Sequence, residues 1–401
     1  MLKSGALYIK GGNRVKVKTF IKFVRGTLGT YLVATLVVLS FLAWSALPAD
    51  AFSLRPTGTD RGNRIMYFVI PPLFKIWYPT ASRIATERFT TPVHERATNI
   101  IYGCEDGAGD CEGDGESNPY APAAIIAGNQ WNDNPPFELA STNTRFCKNY
   151  VGTTIKAPYF LECWYILYRD GEKRAEKGEY FDADSGTVLL YRVHFGDMQF
   201  LHAMASRDGE EARVTKERIM MWAEFTYRLA LGELDRGVEL RRIGIPGMET
   251  LFKNRGWTAQ QLFTRGDPTF RGEEDFRNFA FGSLLHLVED SFSRAHVERD
   301  EPPGARCDAV PEQYNPGKVL SFHTYAKQDK RKHADADKQN ALSIHLAEKQ
   351  PNVVDVGKAL KTYYEQKRPW DEVKQYLECV FELADPAAKA GPGSLFLTRS
   401  D

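Results

Sequence analysis

The stretch Phe276-Arg-Asn-Phe-Ala-Phe-Gly-Ser-Leu-Leu-His286-Leu-Val-Glu-Asp290-Ser-Phe-Ser-Arg-Ala-His296 decides how the rest of the chain is read. Its apolar run from Phe276 to Phe292 predicts a buried helix over Asp275–His296, with Ser291, Ser293 and Arg294 marking its end. His286 and Asp290 are four residues apart and leave the same face of that helix one turn apart. His296 follows where the helix runs out. Nitrogen and carboxylate oxygen held on rigid elements are what a borderline cation such as zinc requires.

Working outward, His333-Ala-Asp-Ala-Asp337 repeats the four-residue spacing in a charged, alanine-containing stretch that is expected to be helical. One such pair alone is far more often a capped or hydrogen-bonded pair than a metal site. Two pairs in a chain with eight histidines, one of them extended by His296, favour metal binding. Further candidates sit upstream. His94 lies in Thr91-Pro-Val-His94-Glu-Arg-Ala-Thr-Asn-Ile-Ile-Tyr102, a predicted helix with Pro92 in its first turn. Asp133 lies in the turn Trp131-Asn-Asp133-Asn-Pro-Pro136. His194 and His202 belong to Tyr191-Arg-Val-His194-Phe-Gly-Asp-Met-Gln-Phe-Leu-His202.

The chain has 401 residues, 43% of them hydrophobic, enough for a substantial core. Its 52 basic and 52 acidic residues balance, but residues 1–51 hold seven of the basic ones and a single acidic one. The remaining 45 and 51 leave the body at about −6, a poor footprint for a stable nucleic-acid partner. The basic stretch precedes the apolar run Tyr31 to Leu47 and then Pro48-Ala-Asp-Ala51, the parts of a secretory signal peptide or, uncleaved, of an N-terminal membrane anchor. An exported protein, periplasmic or secreted, is expected. All six cysteines follow this segment, and disulfides between sequence neighbours are expected: Cys104–Cys111, Cys147–Cys163 and Cys307–Cys379. The glycine-rich acidic stretch Cys104 to Ser117 reads as a solvated loop rather than a calcium site.

The fold expected for 52–401 is mainly α, with a small antiparallel β insertion over 145–193. There Tyr159–Tyr168, Glu179–Asp182 and Thr187–Val193 read as strands. Helices are expected over Glu210–Leu231, Asp275–His296, Ala341–Lys349 and Trp370–Leu383.

The order His94, Asp133, His194, His286-x3-Asp290-x5-His296, His333-x3-Asp337 resembles the bacterial zinc-dependent phospholipases C and single-strand-specific zinc nucleases, over roughly 90–340. That resemblance implies a multi-helix domain with two or three zinc ions in a cleft. Asp133, His194, His286 and Asp290 would hold one ion, and His296, His333 and Asp337 a second. Asp290 would bridge to a third, completed by His94 and the N-terminal residue. Here the chain departs from the family: cleavage after Ala51 exposes Phe52 in place of a tryptophan, 42 residues before His94. The gap of 61 residues between Asp133 and His194 is also long. Asp197 and His202 are read as support for the ligands, and His345 as structural. His323 is set aside because Lys327, not a carboxylate, lies four residues on.

The implied activity is phosphodiester hydrolysis by metal-activated hydroxide, with Asp133 orienting or deprotonating the water. A phospholipase C acting on phosphatidylcholine-like lipid at a membrane surface is favoured. The alternatives are a single-strand nuclease or nucleotidase and a non-catalytic zinc-stabilised envelope protein. Nothing in the sequence fixes the oligomeric state.

Overall fold

A computed structural model describes residues 93–105, 111, 120–140, 145–156, 160–265, 272–300 and 304–397. Residues 1–51, with the signal or anchor segment, and most of the acidic loop lie outside these. The described helices, in chain order, are α1 (His94–Ile101), α2 (Ala123–Trp131), α3 (Leu161–Glu176), α4 (Leu189–Phe195), α5 (Ala212–Leu231) and α6 (Met248–Leu251). They continue with α7 (Ala259–Thr264), α8 (Glu273–Asp290), α9 (Lys330–Ala336), α10 (Gln339–Glu348), α11 (Val353–Glu365) and α12 (Trp370–Val380). Two antiparallel pairs complete the fold: β1 (Phe137–Glu138) with β2 (Thr154–Ile155), and β3 (Val297–Arg299) with β4 (Val319–Phe322). The protein is mainly α with a small β component, as the sequence predicts.

Helix α8 is the axis of the molecule. Phe276 and every residue from Phe279 to Asp290 are buried, so it is surrounded on all sides rather than presenting one apolar stripe. Glu273, Glu274 and Asp275 occupy its first turn, where the positive end of the helix dipole favours them. It packs most extensively on α2 and α5, and also on α11. The contact with α2 is made backbone to backbone. A Cβ on Gly282 would stand 2.1 Å from the Ile125 carbonyl oxygen, and one on Gly128 would stand 1.9 Å from that of Phe279. Nothing but hydrogen fits at these two positions.

The crossing is locked by a buried polar chain. Trp222 of α5 donates from Nε1 to Ser283 Oγ at 3.1 Å, and Ser283 Oγ donates to Asn132 Oδ1 at 2.6 Å. Asn132 in turn donates from Nδ2 to the Leu201 carbonyl at 2.9 Å. Three segments that carry candidate ligands are thus held in one register: the end of α2, the short 3-10 turn Gln199–His202, and α8.

The β insertion differs from expectation in its placement. Tyr159–Tyr168 and Thr187–Val193, read as strands, fall largely in α3 and α4, and Glu179–Asp182 contributes only an isolated bridge, Phe181 to Gly196. Tyr159 itself lies outside the described residues. The buried positions Cys163, Trp164, Leu167, Tyr168 and Ala175 recur with a helical period, and this packing overrides the β propensity of the individual aromatic residues. The predicted 145–193 insertion therefore contributes only β2 to a strand pair, whose partner β1 precedes it. Helix α8 also stops at Asp290, earlier than the predicted His296. Ser291 Oγ donates to the Val288 carbonyl at 2.7 Å, and Ser293 Oγ accepts from Ala295 N at 3.2 Å, local bonds that compete with continuing the helix.

All three expected disulfides are present: Cys104–Cys111, Cys147–Cys163 and Cys307–Cys379. They are consistent with an exported protein. Among the described residues no helix is long and apolar enough to cross a membrane. The Gly282–Ile125 contact yields a direct test. Gly282→Ala is expected to destabilise the protein by about 1–3 kcal/mol or more, because the obstacle is a backbone carbonyl rather than a movable side chain. A urea midpoint indistinguishable from that of the parent would refute the close crossing.

Candidate metal centre

Asp290 is the last residue of α8 and its side chain is fully enclosed. A carboxylate there faces two penalties, loss of hydration and the negative pole of its own helix, and the last turn contains no basic residue. What surrounds it instead is imidazole. Oδ2 lies 2.9 Å from His286 Nε2 and 2.8 Å from His202 Nδ1. Oδ1 lies 3.3 Å from His94 Nε2 and 3.4 Å from His296 Nδ1. Burial pushes the Asp290 carboxyl up, but His296, His286 and His94 outweigh it and hold the group well below the ordinary carboxylate range. Burial likewise opposes charge on His94 and His296. Asp290 overcomes it in both: His94 is raised well above 6.5, and His296, which also faces Asp337, to about 9. His286 is lowered by burial and by His94.

Nitrogen and oxygen donors gather into three groups: His94 with His286 and Asp290, Asp133 with His194 and His202, and His296 with His333 and Asp337. Within each group one donor atom per residue lies within 4.8 Å of the others. Tetrahedral zinc with bonds of about 2.0–2.1 Å would set its donors about 3.3–3.5 Å apart. The separations are close to that: 3.3 Å from His94 to Asp290, 3.6 Å from His202 to Asp133 and 3.6 Å from His296 Nε2 to Asp337 Oδ2. Asp337 Oδ2 is also 3.0 Å from His333 Nε2, yet this buried oxygen makes no hydrogen bond. Nor do Asp133 Oδ2, Asp290 Oδ1, His202 Nε2 or His286 Nδ1. The three groups could each hold a metal ion, and imidazole nitrogen with carboxylate oxygen is a donor set that zinc accepts.

The surroundings orient the rings. His94 Nδ1 donates to Glu289 Oε2 at 2.8 Å, turning Nε2 towards Asp290. Glu289 is fixed in turn by Thr98 Oγ1 at 2.7 Å and Asn129 Nδ2 at 2.8 Å. His333 Nδ1 donates to Gln328 Oε1, leaving Nε2 facing Asp337, and Ser293 Oγ donates to Asp337 Oδ1. A carboxylate or amide behind a ligating imidazole sets its tautomer and raises its basicity.

All eight predicted ligands converge, but their partition differs from the expected one. His286 groups with His94 and Asp290, and the place beside Asp133 and His194 is taken by His202. His202, read as a supporting residue, thus belongs among the candidate ligands. It sits in a 3-10 turn, eight residues from His194, where helical spacing gives no signal. Glu289 gave none either, being one more carboxylate beside a better-placed one. Asp197, also read as a supporting residue, accepts two 2.8 Å bonds from Arg192, which belongs to none of the three groups. His323 Nδ1 faces the Ala295 carbonyl at 3.1 Å, outside the three groups, and His345 Nε2 accepts from Val353 N at 3.1 Å. The N-terminal ligand that the resemblance implies lies outside the described residues.

These protonation states predict opposite pH behaviour with and without metal. In the metal-free protein the raised imidazoles contribute stability that is fully present below pH ~6.5 and is lost as pH rises through about 9. Metal ligation needs the unprotonated nitrogen, so loading zinc at pH 7.5 should release at least one proton, seen as a buffer-dependent binding enthalpy. Chelated protein should lose thermal stability between pH 6.5 and 9 while zinc-loaded protein does not. Parallel profiles would contradict the assignment.

No protein-family model, curated protein or solved structure matches this chain, so the reading of the centre rests on its own residues and geometry.

Proposed function

We propose that the protein is an exported zinc-dependent phosphodiester hydrolase, most specifically a phospholipase C. The observation that carries this reading is the meeting of three imidazole–carboxylate groups around one buried carboxylate, two of the groups opening onto a crevice. That crevice is lined by Asp133, His194, His202, His296, His333 and Asp337, together with Tyr168 and Tyr325. Zinc bound there would supply Lewis acidity to phosphoryl oxygens and acidify a water molecule. The chain's own residues do the rest. Asp290 holds four imidazoles in register. Asp133, whose buried Oδ2 makes no hydrogen bond, would accept the proton of the attacking water. Glu289 and Gln328 keep His94 and His333 in the tautomers that face inward.

A lipid is favoured over a polynucleotide by charge and by apolar surface. The body of the chain is acidic. A cavity of about 580 Å³ lies beside the centre, lined by the apolar Phe292, Val297, Ile344, Leu395 and Phe396 and also by Arg294, Arg299 and Lys349 with Glu298, Asp300 and Glu348. It shares Phe292, Ala336, Ala341 and His345 with a smaller cleft that reaches His94 and Glu289.

The test is hydrolysis of phosphatidylcholine and of denatured DNA by zinc-loaded protein, with and without chelator. Phosphocholine release that chelation abolishes is the expected outcome. Nucleotide release would establish a nuclease, and zinc content without turnover on either substrate a structural centre. His286→Ala should abolish activity and lower zinc occupancy, whereas His345→Ala should leave zinc occupancy within about twofold, since His345 lies outside all three groups. Equal effects of the two substitutions would count against the ligand set.

A further inference from the structure

Helix α9 carries His333 and ends at Asp337, two of the three members of one metal group, yet it has little of its own to hold it in place. It is seven residues long, too short to be stable alone, and within it only His333 and Ala334 are buried. One buried methyl group does not orient a helix. The start of α9 is well fixed. Asp329 caps it, accepting from Arg331 N and Lys332 N at 3.0 and 3.1 Å, and donates from its own backbone N to the Phe396 carbonyl at 2.6 Å. Gln328 Nε2 donates to the Ala295 carbonyl at 2.6 Å. These bonds set where the helix begins but not its roll about its own axis, and the roll decides whether His333 and Asp337 face His296.

Lys332 adds an exposed contact, to the Leu397 carbonyl at 3.2 Å. Apart from bonds made by the ligand side chains themselves, the tie from α9 to a buried group is ionic among the described residues. Lys330, His333 and Asp337 stand at i, i+3 and i+7 and share one face. From that face Lys330 Nζ reaches α3, 2.9 Å from Glu172 Oε1 and 2.7 Å from Glu176 Oε1. Glu172 is 2% exposed and is paired with Arg169 as well. Helix α3 is itself firmly placed. The Cys147–Cys163 disulfide ties its first turn, and Gly171 lets it lie close against α4, since a Cβ there would stand 2.9 Å from the Phe195 ring. One turn before Glu172, Tyr168 stands edge-on to His194 at 5.2 Å.

We propose that Glu172 and Lys330 are a positioning pair for the His296–His333–Asp337 group: by holding the roll of α9 against α3, they set the separation at which His333 and Asp337 share one cation with His296. Neither residue touches the ion. The proposal rests on the metal reading of that group, and its test separates the two.

The probe is zinc alone, titrated by calorimetry into the chelated full chain against a competing chelator. In Glu172→Gln, Lys330 keeps Glu176, and in Lys330→Gln, Glu172 keeps Arg169, so neither variant leaves a charge without a counter-ion and both should fold. Each is expected to weaken one zinc roughly tenfold or more and to leave the rest as in the parent. The double variant should lose no more than either single one, and Lys330→Arg, which keeps the charge, should retain parental affinity. In a His333→Ala background that ion is already lost, and adding Lys330→Gln there should change zinc affinity no further. Weakening of the remaining zinc in that background would make the pair a general brace and overturn the proposal. Unchanged zinc affinity in both single variants would overturn it while leaving the metal reading intact; a parent chain that binds no zinc would overturn both.

Discussion

The Asp290 carboxylate is buried at the negative end of a buried helix, and most of the architecture around it answers that placement. Left alone, such a group would take up a proton or unravel the last turn. Here four imidazoles converge on it from α1, the Gln199–His202 turn, α8 itself and the segment just after α8. The nearby guanidinium of Arg299 is otherwise engaged, donating to the carbonyls of Ser291, Gly317 and Val380 and so capping the ends of α8 and α12. That division leaves the carboxylate to the histidines.

Rigid placement comes from the crossing of α2 and α8. The glycines at the contact allow the two backbones to touch, and the Trp222–Ser283–Asn132 chain fixes how far each helix extends past the crossing. Asp133 immediately follows Asn132, and His286 lies one turn beyond Ser283, so the same contact sets both. A centre built on helix ends and their immediate continuations keeps its geometry better than one hung on long loops. The early end of α8 also has a use. By turning at Ser291 and Ser293 the chain brings His296 back to face Asp290, which a continuous helix would carry past it.

The crevice is polar without being cationic, and the larger cavity beside it is partly apolar. Among the described residues no lysine or arginine lines the crevice.

Much of this was legible in the residues. The four-residue spacings of His286 with Asp290 and of His333 with Asp337, the buried character of Phe276 to Phe292, the mainly helical class and the three cysteine pairings are local or near-local properties, and the chain writes them directly. Five of the nine grouped residues were marked in this way, and His94, Asp133 and His194 were assigned only through the resemblance in motif order. His202 was not, because a 3-10 turn carries no periodic signal, and its role appears only when α8 brings Asp290 against it. Glu289 and Gln328 were hidden for a related reason: their function is to stand behind another residue's ring. Tyr159–Tyr168 misled because aromatic, β-branched composition states a preference weaker than the helical packing it meets. Residue types and short spacings determined what chemistry the chain can do. Which imidazole shares which carboxylate, and which phenols stand over them, was decided by long-range packing, since those distances depend on how closely two glycines let two helices approach.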